Sequence, residues 1–206
     1  MITEQNILPL FSVPLCRVNL GEPSPELVQQ IQHQTWTLTR PSTHNSEDLH
    51  VLNQLPALRE QIHQHLSEFV QVLGFDPQQY PFEFTTSWVN RADPEAEAVA
   101  HHHSNSMISG VYYPHTCDPH SSIWFHRADQ YHNLWSDMVN VPTQRFTLFN
   151  SRQIQVTPSA GDLIMWPSHL IHSVGRNTTP QPRYSVAFNT FVRGVLDAQG
   201  GSELHL

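Results

Sequence analysis

Ala100-His-His-His-Ser-Asn-Ser-Met-Ile-Ser-Gly-Val-Tyr-Tyr113 sets three consecutive histidines against a run of β-branched and aromatic residues. Met107–Tyr113 reads as a strand, because branched and aromatic side chains suit a pleated, half-buried surface. Comparable runs recur from residue 80 onward: Phe82–Asn90, Ser122–His126, Arg145–Asn150, Ile154–Thr157, Asp162–Trp166, Ile171–Val174 and Tyr184–Val192, separated by Pro, Gly, Asp and Asn. Short strands of similar length joined by turns predict an antiparallel sandwich, jelly roll or barrel.

Two helical signals precede the strands. Ser24-Pro25-Glu26 has the form of an N-cap followed by proline at the first helical position, with Leu27, Val28, Ile31 and Thr35 on one face. Leu55, Leu58, Ile62, Leu66, Phe69 and Leu73 then step by three and four, and Gly74 supplies a C-terminal cap. Residues 39–50 are polar without periodicity and read as loop, as does the acidic, Ala-rich Asp93–Ala100. Asp129–Val141 is a longer polar insertion with the dimensions of a lid. The expected fold class is mainly β with flanking helices, two N-terminal helices packing on the sheets. The boundaries predicted are a helical part at 1–79, a β core at 80–193 and a tail at 194–206, all in one domain.

At 206 residues the chain is long enough to bury a substantial core. Charged residues make up only 14%, and 16 prolines favour a turn-rich protein over a helical bundle. Eighteen acidic residues face ten basic ones, for a net charge of −8, and all ten are arginine. Without lysine there is no Schiff-base chemistry and no P-loop lysine; a bound anion must rely on Arg or protonated His. The negative balance argues against sequence-independent nucleic-acid binding, so no nucleic-acid partner is expected. Cys16 and Cys117 form no CxxC and no disulfide framework, which fits a reducing compartment. No signal-peptide pattern and no apolar run of ~18 residues is present, so a soluble cytoplasmic protein without a membrane partner is expected.

With fifteen histidines, any one of them reads first as surface or core decoration. Three in a row have no packing rationale, because protonated neighbours repel one another. Alternate residues of a strand share a face, so His101 and His103 can converge on one point while His102 faces away. His172, in Trp166-Pro-Ser-His-Leu-Ile-His172-Ser-Val, is the best third ligand; His169 sits in a Pro-led turn. Imidazoles with open coordination positions suit Fe(II), Zn, Cu or Ni, and spacing alone leaves that choice open. Further on, Gly175-Arg-Asn-Thr-Thr-Pro-Gln-Pro leads to a strand bearing Arg183 and Ser185 on one face. A guanidinium fork with a nearby hydroxyl describes a seat for an acidic co-substrate beside a metal.

The order HxH, Ser-Gly-Val-Tyr-Tyr, Gly161-Asp162 with Trp-Pro-Ser, distal His172, then Arg183-x-Ser185 resembles the 2-oxoglutarate- and Fe(II)-dependent oxygenases, and within them a bacterial and phage branch near the prolyl hydroxylases. The resemblance covers about residues 82 to 192, with a weaker echo in Leu8–Pro14 and the helices. It implies a double-stranded β-helix of the jelly-roll or cupin-like kind, and the cofactors Fe(II), 2-oxoglutarate and O2. His101 takes the place of the first ligand, His172 the distal ligand, Arg183 the clamp on the far carboxylate of 2-oxoglutarate and Ser185 its helper. Tyr113 matches a phenol that touches the same carboxylate in related hydroxylases, against the alternative of plain strand packing. Asn90 either faces the same cavity or ends a strand as a turn residue.

The departure lies at His103, where the superfamily has Asp or Glu. A three-His face, a water in place of His103, or a shifted pattern led by His103 with Asn105 following are the alternatives, the first favoured by i, i+2 geometry. The activity implied is oxidative decarboxylation of 2-oxoglutarate to succinate coupled to hydroxylation of a C–H bond. Trp88, Trp124, Trp166 and Phe188 are candidates for lining the pocket, with core packing the alternative. Two rivals stand beside it: a three-His cupin-type metal dioxygenase without 2-oxoglutarate, and a non-catalytic metal- or ligand-binding β-barrel module. The substrate stays open among a free amino acid, a small metabolite and a protein side chain, and the oligomeric state stays open, a homodimer included.

Overall fold

The computed structural model describes residues 12–127, 142–147, 149–197 and 201–206. Its elements run β1 (Cys16–Asn19), α1 (Pro25–Gln32), β2 (Trp36–Arg40), β3 (Thr43–Ser46), a 3-10 turn (Val51–Gln54), α2 (Pro56–Val72), β4 (Phe82–Ala92), β5 (Ala98–His101) and β6 (Ile108–Tyr112). After a second 3-10 turn (Pro119–Ser121) come β7 (Ile123–His126), β8 (Gln153–Val156), β9 (Asp162–Pro167), β10 (His172–Val174), β11 (Arg183–Val192), β12 (Val195–Leu196) and β13 (Leu204–His205). A seven-stranded sheet has the order β1-β9-β6-β11-β4-β3-β2, and a four-stranded sheet the order β5-β10-β7-β8. Every pairing within them is antiparallel. No helix among the described residues is long and apolar enough to cross a membrane.

The helices cover the outer face of the larger sheet. Ser24 caps α1 by accepting the Leu27 N–H, with Pro25 at the first helical position. The apolar stripe of α2, Leu58, Ile62, Leu66, Phe69 and Val70, is buried against Val89, Ile108, Leu163, Met165, Val186 and Phe188 of the sheet. Each such side chain removed from water contributes about 1.5–3 kcal/mol. A second core, with Ile123 and Phe125 from β7 and Ile164 and Trp166 from β9, fills part of the space between the two sheets. The unbroken run Asp162-Leu-Ile-Met-Trp follows from this, because β9 is covered on both faces: Leu163 and Met165 enter the helix-side core, Ile164 and Trp166 the inter-sheet core. Gly110 of β6 pairs with Phe188 of β11, and a Cβ there would run into the Phe188 ring.

The structure corrects several readings. Residues 39–50 are not a simple loop: they contain the end of β2 and all of β3, and the first 3-10 turn follows directly after them. Their polar residues show no apolar alternation, and the ladder comes from pairing with β4, where Thr43 faces Ala92 and Asn45 faces Asn90. Thr35 lies outside α1, which ends at Gln32. The second half of Asp93–Ala100 enters β5, held by β10. The described residues of Arg145–Asn150 form a turn, not a strand. Asn150 accepts the Thr147 N–H at 2.6 Å and donates to the Arg145 carbonyl at 3.0 Å, local bonds that compete with a ladder. The Asp129–Val141 insertion and residues 8–11 of the opening echo lie outside the described residues.

Candidate metal centre

The antiparallel register of β5 and β10 sets His172 directly opposite His101. β5 ends at His101, so His103 lies in the following loop, which corrects the expectation that both share a strand. His103 reaches the same point because its backbone N–H donates to the Ser168 carbonyl at 3.1 Å, while His102 is exposed. The ligand atoms offered by His101, His103 and His172 all lie within 4.8 Å of one another. Ring centroids are 4.3 Å apart for His101 and His172, 5.1 Å for His103 and His172, and 5.3 Å for His101 and His103.

Two backbone carbonyls set the ring orientation. His101 Nδ1 lies 2.8 Å from the Val99 oxygen, and His172 Nδ1 lies 3.1 Å from the Leu170 oxygen. A carbonyl only accepts, so both Nδ1 atoms carry the proton and both Nε2 atoms keep their lone pairs, the usual condition of a ligating histidine. Burial, reinforced by the neighbouring imidazoles, pushes His172 down to about 3 and His103 down to about 4. Burial also lowers His101. All three are neutral near pH 7, and a set of neutral imidazoles with free Nε2 atoms fits a borderline divalent ion such as Fe(II).

The cluster opens on a cavity of about 330 Å³ between the sheets. Arg183, Ser185 and Ala187 line it from alternate positions of β11, and the paired strand β4 contributes Asn90 opposite Ser185 and Trp88 opposite Ala187. Arg183 Nη1 donates to the Ser121 carbonyl at 2.7 Å, which fixes one edge of the guanidinium. Asn90 Nδ2 donates to Ser185 Oγ at 3.4 Å and Asn90 Oδ1 accepts from Trp88 Nε1 at 2.9 Å, so the three side chains form one chain of hydrogen bonds. Tyr113 also lines the cavity and is 3% exposed. Burial raises its phenol well above the ordinary range, with Cys117 adding to the rise and Arg183 opposing it, so it stays a neutral donor.

The cavity thus gathers His101, His103, His172, Arg183, Ser185, Tyr113 and Asn90. Of the aromatic candidates, Trp88 lines it; Trp166 packs beside His172 with centroids 4.8 Å apart, Phe188 belongs to the helix-side core, and Trp124 lines a separate surface hollow. Asp162 stands apart as a structural junction, bonded to Arg17, Asn19 and the Ser159 N–H. The sequence reading missed Thr39, Arg40, Thr43 and Asn45, which the β2–β3 hairpin adds to the lining. The one local signal was Trp36-Thr-Leu-Thr-Arg40 followed by Pro41-Ser42, a β-favouring run and a turn.

A family model described as "Putative 2OG-Fe(II) oxygenase" matches residues 86–189. Among solved structures, an oxidoreductase of the 2OG-Fe(II) oxygenase family from Burkholderia pseudomallei superposes with a TM-score of 0.58 at 10% identity, over 85% of this chain and 83% of that one. A Pseudomonas putida prolyl-4-hydroxylase gives 0.54 at 16% identity, over 90% and 96%. HygX from Streptomyces hygroscopicus, solved with nickel, 2-oxoglutarate and hygromycin B bound, gives 0.54 at 14% identity, over 86% and 82%. At these identities the likeness is one of fold. No curated protein sequence matches the chain.

Proposed function

The chain belongs to the 2OG-Fe(II) oxygenases, enzymes that use Fe(II), 2-oxoglutarate and O2, and on that premise we propose that it hydroxylates a C–H bond while 2-oxoglutarate is decarboxylated to succinate. The observation that carries this reading is the meeting of three histidines at one cavity whose wall also carries Arg183. The two facing antiparallel sheets are read as a double-stranded β-helix, and the whole chain as one oxygenase domain. Its free cysteines accord with a reducing setting, and we place it in the cytoplasm.

His101, His103 and His172 hold the iron. When bound, Fe(II) supplies the activation of O2 that drives decarboxylation and the oxidation of the substrate. His103 replaces the carboxylate that the superfamily has there, so the ligand set is neutral and leaves the ion its full charge toward an anionic co-substrate. The free N–H groups of Arg183 grip the distal carboxylate of 2-oxoglutarate, a charge-assisted contact that a planar fork makes well. Ser185 and the protonated Tyr113 phenol donate to the same group, and Asn90 orients the Ser185 hydroxyl. Trp88, 6.1 Å from His103 between ring centroids, and Trp166 against His172 keep water from the imidazoles.

Anaerobic titration of the metal-free protein with Fe(II), with and without 2-oxoglutarate, tests the reading. A visible absorption band that requires both, followed by succinate release on admitting air, is the expected result; no co-substrate-dependent band sinks it. The neutral three-His set also favours a second reading, a cupin-type dioxygenase that ignores 2-oxoglutarate. Iron-dependent O2 uptake without succinate selects that alternative.

A further inference from the structure

We propose that Arg40 is the substrate-selecting cation of this site, and that the molecule oxidised carries an anionic group, a carboxylate or a phosphate, which Arg40 and Asn45 receive at the cavity wall formed by the β2–β3 hairpin. This rests on the oxygenase reading and extends it to the class of substrate.

The hairpin, β2 and β3, lies outside residues 86–189, the segment matched by the family model. Thr39, Arg40, Thr43 and Asn45 all line the cavity that holds the three histidines. The charges lining it are those of Arg183, Arg40 and Glu97, besides the histidines themselves. Arg183 is anchored to the Ser121 carbonyl and takes the distal carboxylate of 2-oxoglutarate. Glu97 lies 3.9 Å from Arg176 at the surface. Arg40 is exposed, and alone of the three its side chain makes no hydrogen bond and no ion pair with a described residue.

A chain of net charge −8 with only ten arginines therefore directs two of them into one cavity. Two cations against the one carboxylate of Glu97 leave the wall net positive, which attracts anions. One arginine and the metal account for both carboxylates of 2-oxoglutarate. The other is left for a second molecule. Asn45 fits the same purpose: its Oδ1 lies 3.3 Å from the Thr39 hydroxyl, which also lies 3.2 Å from the Thr43 carbonyl, and its side-chain N–H groups donate to no described residue. A guanidinium beside an amide N–H offers several donors to one oxyanion.

The test uses the full chain loaded with Ni(II), which holds the site without turnover. Calorimetry measures 2-oxoglutarate binding to the unaltered protein, Arg40→Gln and Arg183→Gln. The 2-oxoglutarate-loaded forms are then titrated with L-amino acids, the matching amino acid carboxamides, and O-phosphoserine and O-phosphothreonine. The expected result is that at least one carboxylate or phosphate probe binds the unaltered protein at least tenfold more tightly than it binds Arg40→Gln. The carboxamides should not distinguish the two, and 2-oxoglutarate affinity should agree within twofold. Which probe series binds decides between carboxylate and phosphate. The proposal is overturned if no anionic probe binds, or if anionic probes bind both proteins alike. It is also overturned, together with the role of Arg183, if Arg40→Gln loses 2-oxoglutarate affinity while Arg183→Gln keeps it. An unaltered Ni(II) protein that binds no 2-oxoglutarate overturns the oxygenase reading itself, a result distinct from the others.

Discussion

The backbone N–H of His103 donates to the carbonyl oxygen of Ser168 at 3.1 Å, tying the loop after β5 to the loop that leads into β10. Ser168 also donates its own N–H to Met107 at 2.9 Å, and its hydroxyl lies 2.7 Å from Ser106 Oγ and 2.8 Å from Ser109 Oγ. One fully buried serine thus sets the spacing of two segments that carry two of the three imidazoles.

Ser168→Ala takes one partner from each of the Ser106 and Ser109 hydroxyls, which keep the Thr190 carbonyl and Asn189 Oδ1, a loss of about 0.5–1.5 kcal/mol. Urea unfolding should report that decrease, and calorimetry of Ni(II) binding should report an affinity roughly three- to thirtyfold weaker, because the spacing of His103 and His172 relaxes. Unchanged Ni(II) affinity in a folded variant would remove Ser168 from any part in holding the centre.

His103→Ala and His102→Ala separate a converging imidazole from an exposed one. The first should weaken Ni(II) binding on the order of a hundredfold, the scale lost with a ligating group. The second should change it less than threefold, since His102 points to solvent. Equal effects would place the metal elsewhere.

Arg183→Gln removes a charge-assisted fork and leaves a neutral, shorter amide donor. 2-Oxoglutarate affinity should fall about ten- to a hundredfold, corresponding to roughly 1.5–3 kcal/mol. Ni(II) affinity should stay within threefold, because the guanidinium is bonded to Ser121 and not to the imidazoles.

Where the chain's own pattern decides the structure, the sequence is legible. The steps of three and four in α2 and the apolar runs of β6, β9 and β11 each carry their own burial, so those elements follow from local composition. Arg183 and Ser185 share a face through simple alternation, and Asn90 comes opposite Ser185 through the β4–β11 register. β5 and the β2–β3 hairpin were hidden because their partners make them: the middle residues of β5 are exposed, and only its ladder with β10 orders the strand. His103 was singled out by an i, i+2 rule that does not hold beyond the strand end; the Ser168 contact puts it there instead. Arg40, beside a Pro-Ser turn, has no local sign of a cavity, and it is brought there by the pairing of β3 with β4.

Acid should destabilise the metal-free protein in a window set by the buried imidazoles. In the unfolded chain a histidine titrates near 6.5, whereas in the fold burial brings His103 to about 4 and His172 to about 3. Between those values the unfolded chain binds protons that the native state refuses, so the free energy of unfolding falls as pH falls. The slope is at most about 1.4 kcal/mol per pH unit for each histidine. Above pH 6.5 both states are neutral at these positions and the effect vanishes. Urea midpoints measured at pH 7.5, 6.0 and 5.0 should therefore decline with acidity. The decline should be shallower in His172→Gln, which removes the most depressed group and leaves the other fourteen histidines as background. A pH dependence identical in the two proteins would show that His172 takes up its proton as readily in the fold as in the unfolded chain.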